Sequence, residues 1–117
     1  LYPYLYEHPA PSNSPPGWGT FHTSEVPYIF GVLDRAHRPY TEADERIAAQ
    51  LQGYWLNFIR TGDPNGRALA RWRRFAPGAT QVMGIGESAG PRPAVSSPER
   101  LAALRAYAED GGTFSPL

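Results

Sequence analysis

One stretch of helical periodicity, residues 41–61, constrains the fold of this chain more than any other feature. Ile47, Leu51, Tyr54, Trp55, Phe58 and Ile59 recur at steps of three and four, which places them on one wide face of an α-helix. Thr41 and Asp44 have capping-box spacing, with Asp in place of the usual Glu. Gly62 suits a left-handed C-cap, and Asp63-Pro64-Asn65-Gly66 is strong turn chemistry. A helix this apolar on one side must pack on something.

Candidate partners for that face are few. Leu1-Tyr2-Pro3-Tyr4-Leu5-Tyr6 reads as a strand, with Pro3 at its start or at an irregularity because proline cannot donate a ladder hydrogen bond. Residues 8–18 read as a loop dense in Pro, Ser, Asn and Gly. Val26 to Leu33 fits either a short strand or a tight helical turn, and periodicity does not separate the two. Trp72 and Phe75 are expected packing anchors in an irregular stretch, Gln81 to Ile85 a short strand, and residues 86–96 a loop. Ser97-Pro98-Glu99 opens a terminal helix, with Ser as N-cap and Pro at the first helical position. Leu101, Leu104 and Ala108 are expected on its inner face, and Gly111-Gly112 should stop it.

The 117 residues suffice for one small domain, but 13 Pro and 12 Gly commit much of the chain to loop. A chain whose first residue, Leu1, already lies in a strand is expected to be a piece of a longer protein. Eleven basic residues, all Arg, balance eleven acids, so net charge offers no argument for nucleic acid or an anionic membrane surface as partner. With no Cys, disulfides, thiol catalysis and Cys-based metal sites are excluded, and no apolar run approaches the ~20 residues of a membrane span. Nothing here fixes the compartment.

The chemistry concentrates at Gly19-Thr20-Phe21-His22-Thr23-Ser24-Glu25, which is followed by Val26-Pro27-Tyr28-Ile29-Phe30-Gly31. A loop histidine between a strand and a long helix is where an α/β-hydrolase keeps its general base. The segment resembles the histidine motif of the type B carboxylesterases, which include cholinesterases and bacterial nitrobenzyl esterases. That motif reads roughly G-x-x-H-x-x-E, then an apolar residue, a variable one, an aromatic and F-G. A second match follows in order: Tyr54-Trp55-Leu56-Asn57-Phe58-Ile59-Arg60-Thr61-Gly62-Asp63-Pro64-Asn65 is similar to the family's Y-W-x-N-F-x-x-T-G-x-P-N. Trp72, Phe75 and the segment around Met83 are similar to its W-x-x-[YF] and short C-terminal strand. The likeness covers residues 1 to about 86. It departs at Thr23, where the family usually carries Gly.

The resemblance implies an α/β fold over residues 1–117, the C-terminal part of an α/β-hydrolase. Its parts would be one sheet strand, a histidine loop, a long amphipathic helix, a short strand and a terminal helix. It implies His22 as catalytic base, an ester as small-molecule substrate, no cofactor or metal, and the remainder of the hydrolase domain as partner. The nucleophile and acid would lie outside this chain, leaving the isolated segment inactive. Glu25 is expected to hold the loop through hydrogen bonds rather than act as the acid, and His8 and His37 are expected at the surface. The alternative is a non-catalytic, cholinesterase-like adhesion module that keeps the fold and loses the triad.

Gly86-Glu87-Ser88-Ala89-Gly90 spells the G-x-S-x-G of a nucleophile elbow. An elbow needs a helix after the serine, and Pro91-Arg92-Pro93 cannot supply the amides of an early helical turn. Ser88 also follows His22, against the serine–acid–histidine order of the fold. A self-sufficient hydrolase built on Ser88 would need it beside His22. Trp55, Phe58 and Trp72 at helical spacing read as core before they read as a substrate gorge. The helix face and both edges of the first strand are therefore expected to be exposed, or covered by another chain.

Overall fold

A computed structural model describes residues 1–11 and 19–113. The expected Pro-rich loop therefore falls partly at positions 12–18, outside the described residues. The elements are strand β1 (Tyr4–Tyr6), helix α1 (Val26–Phe30), a 3₁₀ turn (Leu33–Arg35), helix α2 (Glu42–Thr61), strands β2 (Gln81–Ile85) and β3 (Ala89–Pro93), and helix α3 (Pro98–Glu109). The open stretch from Val26 to Leu33 is thus helical, and Pro27 sits in the first turn of α1, where its missing N–H costs nothing.

The sheet is mixed, in the order β1-β2-β3. β1 pairs parallel with β2, Leu5 opposite Gly84, and β2 pairs antiparallel with β3, Met83 opposite Pro91. Pro3 precedes β1, and its carbonyl accepts from the amide of Met83 at 3.3 Å and from Trp72 Nε1 at 3.2 Å. Two expectations are corrected here. β1 is not bare on both edges, since one is paired with β2. Residues 86–96 are not all loop, since five of them form β3. The strand register admits its two prolines. The Ser88 carbonyl accepts from Gly86 and the Ala94 amide donates to Thr80, so even-numbered positions of β3 face β2. Pro91 and Pro93 then turn toward the open edge, where a missing N–H protects against further pairing.

α2 starts and stops as its ends dictate. Thr41 donates its amide and its hydroxyl to Asp44 Oδ2, at 2.8 and 2.7 Å. Glu42, Asp44 and Glu45 face the positive end of the helix dipole, with Arg60 at the other end. Gly62, at φ 76°, closes the helix by donating to the Phe58 carbonyl at 2.8 Å. Asn65 then pins the returning chain, its side chain bonding both the amide and the carbonyl of Trp72 at 2.7 and 2.9 Å. That sets the Trp72 indole edge-on to Tyr54, with ring centroids 5.3 Å apart.

The core is Tyr28, Ile47, Ala48, Leu51, Tyr54, Trp72, Met83 and Ile85. Each large side chain there contributes about 1.5–3 kcal/mol. The apolar face of α2 is only half used. Ile47, Leu51 and Tyr54 are buried, whereas Trp55, Phe58 and Ile59 are 38%, 46% and 71% exposed. Trp72 anchors as expected, while Phe75 remains exposed.

α3 is capped as read, with Ser97 Oγ accepting from the Arg100 amide at 3.2 Å. Its expected inner face is not formed: no residue of α3 is buried, and Leu104 is 40% exposed. Leu101, Ala102, Ala103, Leu104, Ala106 and Ala108 spread around the helix and give it no single apolar side to dock. No helix among the described residues is long and apolar enough to cross a membrane.

Candidate active site

The chain leaves the carboxyl end of β1 at Glu7, whose amide still donates to the Ile85 carbonyl at 2.8 Å. It returns as a turn over residues 22–25 that runs into α1. His22 is exposed on that turn. Nested backbone bonds tie the turn to the helix: Ser24 N–H to Phe21 C=O, Val26 N–H to Thr23 C=O, and the amides of Tyr28 and Ile29 to Glu25 C=O, all at 3.0–3.1 Å. Thr23 adopts φ 71°, a left-handed conformation that a β-branched residue enters only under strain. The departure noted at Thr23 therefore falls on a position whose backbone favours glycine. Ser24 is buried, and its hydroxyl has no hydrogen-bond partner among the described residues. Glu25 is half-buried, and among the described residues its hydrogen bonds run through its backbone carbonyl rather than its carboxylate.

Tyr28, in the helix that continues this turn, belongs to a cluster that sequence reading missed. His8, expected at the surface, is tucked in, its side chain 12% exposed and its Nε2 2.8 Å from Asp44 Oδ1. Tyr28 donates its hydroxyl to the same oxygen at 2.6 Å. With the two Thr41 bonds to Oδ2, the buried Asp44 carboxylate accepts four hydrogen bonds. An ionised carboxylate offers only lone pairs, so His8 Nε2 carries the proton in this contact. Burial pushes the Asp44 carboxyl up, but hydrogen bonds from Tyr28, Thr41 and His8 outweigh it and hold the group at about 2. Burial, reinforced by the bond to Asp44, raises the Tyr28 hydroxyl well above its ordinary value. The Thr41–Asp44 cap was legible at three-residue spacing. His8 and Tyr28 lie 36 and 16 residues from Asp44, and no local pattern links them. His37 is exposed, as expected.

Arg38 bridges the same loop from outside. Its guanidinium donates to the Pro11 carbonyl at 3.2 Å and lies 5.9 Å from the centre of the Phe21 ring, next to His22 in sequence. Ser88 sits in a different frame. It lies in the turn between β2 and β3, where a strand rather than a helix directly follows the serine, and its Oγ accepts from Arg92 at 3.3 Å. That is not the frame of a nucleophile elbow. Tyr2, Tyr4, Trp55, Phe58 and Trp72 border an apolar groove of about 280 Å³, and His22 does not line it. Trp55 and Phe58 are therefore open surface rather than core, while Trp72 is core.

Comparisons with known proteins identify the family. The sequence profile of the carboxylesterase family matches residues 1–101. The chain is 30% identical over 92 residues to zebrafish (Danio rerio) acetylcholinesterase, covering 73% of this chain and 14% of that protein. It is 36% identical over 78 residues to bovine (Bos taurus) carboxylesterase 4A, covering 64% of this chain and 14% of the relative. It is 35% identical over 84 residues to human (Homo sapiens) bile salt-activated lipase, covering 71% and 11%. Among solved structures, a PNB esterase superposes with a TM-score of 0.66 at 22% identity, over 84% of this chain and 20% of that one. A Geobacillus stearothermophilus carboxylesterase superposes with a TM-score of 0.61 at 25% identity, over 86% and 21%. The chain thus spans about a seventh or less of the curated relatives named here and about a fifth of the solved structures. On the match over residues 1–101, this chain belongs to the carboxylesterase family.

Proposed function

We propose that residues 1–117 are the C-terminal portion of a serine carboxylesterase domain, in which His22 is the general base. One observation carries the reading: His22 stands exposed on a turn tied to α1, in the connection that follows a parallel sheet strand. Loops at the carboxyl ends of the strands of an α/β sheet are where such folds assemble their chemistry. In this scheme a serine hydroxyl from outside the segment attacks the ester carbonyl and passes its proton to His22. A tetrahedral oxyanion forms and collapses, the C–O bond to the alcohol breaks, and His22 returns the proton to the leaving alkoxide. Water then repeats the sequence on the acyl-serine and releases the acid.

Several features support a missing remainder. Among the described residues, the open edge of β1, the exposed Trp55 and Phe58 and the unpartnered Ser24 hydroxyl all invite one. So does the share of the relatives that this segment spans. Alcohol and acyl specificity would come from that remainder.

The test is kinetic, with p-nitrophenyl acetate as substrate. The 117-residue chain alone is expected to give no turnover above buffer. In the full-length protein, His22→Ala should lower kcat by about 10²–10⁴-fold, while Ser88→Ala should stay within about twofold on surface-substitution grounds. Hydrolysis by the isolated chain that Ser88→Ala abolishes would overturn the proposal. A full-length protein with no serine at its elbow would favour the adhesion module instead.

A further inference from the structure

We propose that Asp44 is a positioning residue for His22, gripping both flanks of the histidine-bearing segment from the first turn of α2. This rests on the reading of His22 given above. The segment has two ends. On one side is His8, just past β1, with Nε2 2.8 Å from Asp44 Oδ1; on the other is Tyr28 in α1, its hydroxyl 2.6 Å from the same oxygen. A single carboxylate oxygen therefore holds His8, which follows β1, and Tyr28, which belongs to the helix that continues the His22 turn. The two rings it gathers also meet each other edge-on, with centroids 5.8 Å apart.

Asp44 cannot drift, because Thr41 holds its other oxygen twice and Asp44 is itself part of the N-terminal cap of α2. Nor can α1 slide, because Gln52 Nε2 donates to the Tyr28 carbonyl at 3.1 Å from two turns further along α2. The nested turns from Phe21 to Ile29 make α1 and the His22 turn one body. Fixing Tyr28 therefore fixes the base of the turn six residues away. A base that must meet a serine from elsewhere in the fold needs such support, since a displacement of about 1 Å costs on the order of 100-fold in rate.

The diagnostic variant is Tyr28→Phe, which keeps the ring and removes the hydroxyl, with His8→Gln as its counterpart on the other flank. Both are made in the full-length protein, with and without His22→Ala. With His22 present, kcat for p-nitrophenyl acetate should fall on the order of tenfold at unchanged KM. In the His22→Ala background neither change should lower the residual rate further, because a residue acting through His22 has nothing left to position. A second readout needs no activity. In the full-length protein, exchange of the Ser24 and Val26 amides should speed up about tenfold in Tyr28→Phe, while Leu51, deep in α2, keeps its rate.

Unchanged kcat, or equal losses in both backgrounds, would reduce Asp44 to an ordinary structural residue. Unchanged amide exchange would remove the grip itself. If His22→Ala leaves hydrolysis intact while exchange accelerates, the grip stands but the reading of His22 falls, so the two failures are told apart.

Discussion

The His22 turn and the Gly86–Gly90 hairpin both spell pieces of a serine hydrolase, yet they are anchored in opposite ways. The first rests on a buried carboxylate that accepts four hydrogen bonds from three residues of distant or neighbouring segments. The second is held at its surface by Arg92, which reaches Glu7 at 2.9 Å and Ser88 at 3.3 Å, with both partners of the ion pair about a third exposed. The same kind of letters thus sits on a braced turn in one case and on a solvated one in the other. A catalytic motif is a set of side chains plus a frame that orients them, and the second region lacks the helix that such a frame requires.

Four measurements sharpen or break this contrast. Asp44→Ala should have the largest effect, about 3 kcal/mol of stability in urea unfolding of the chain. It strands the buried Tyr28 hydroxyl, the His8 imidazole and the helix cap together. A loss below about 1 kcal/mol would mean the brace is ornamental.

Acid should act next, through the same group. The folded Asp44 carboxyl is held at about 2 against an ordinary 3.8, so its contribution is complete above the ordinary value. Below it the unfolded chain takes up the proton first, and stability falls by about 2 kcal/mol as pH drops through the folded value. Asp44→Asn should flatten that slope between about pH 4 and pH 2; an identical slope in the variant would assign the acid sensitivity to other carboxyls.

Thr23→Gly should raise stability by about 1 kcal/mol, because relief of a β-branched residue at positive φ exceeds the extra freedom glycine brings to the unfolded chain. A higher thermal midpoint checks it, and a lower one would mean the threonine side chain contributes more than its backbone costs. On the hairpin side, Arg92→Gln should cost at most about 0.5 kcal/mol, since exposed ion pairs are weak and screened by salt. A cost as large as that of Asp44→Ala would erase the distinction between the two regions.

Much of the fold was legible in advance because its determinants are local. The ends of α2 follow from Thr41, Asp44 and Gly62, the start of α3 from Ser97 and Pro98, and the Asp63–Gly66 turn from residues that bond their own backbone. The two matching motifs at His22 and Tyr54–Asn65 were equally local. β3 was not legible because a run with two prolines carries no strand pattern of its own, and only the register with β2 turns both to the open edge. The face expected on α3 failed because capping starts a helix without giving it a partner to dock against.

The cluster around Asp44 belongs to the other class. Nothing in the spacing of His8, Tyr28 and Asp44 ties them, and His8 alone read as a surface residue. A hydrogen bond across 36 residues exists only when packing brings the end of β1 and the start of α2 into contact. The sequence by itself settled which segments coil, where helices begin and end, and which family's motifs they carry, because caps, turns and periodicity act within a few residues. Tertiary structure alone decided which histidine is buried and which is free, and how much of the α2 face meets a core. Burial and long-range hydrogen bonding depend on which elements meet in space, and that is set by the packing of the whole.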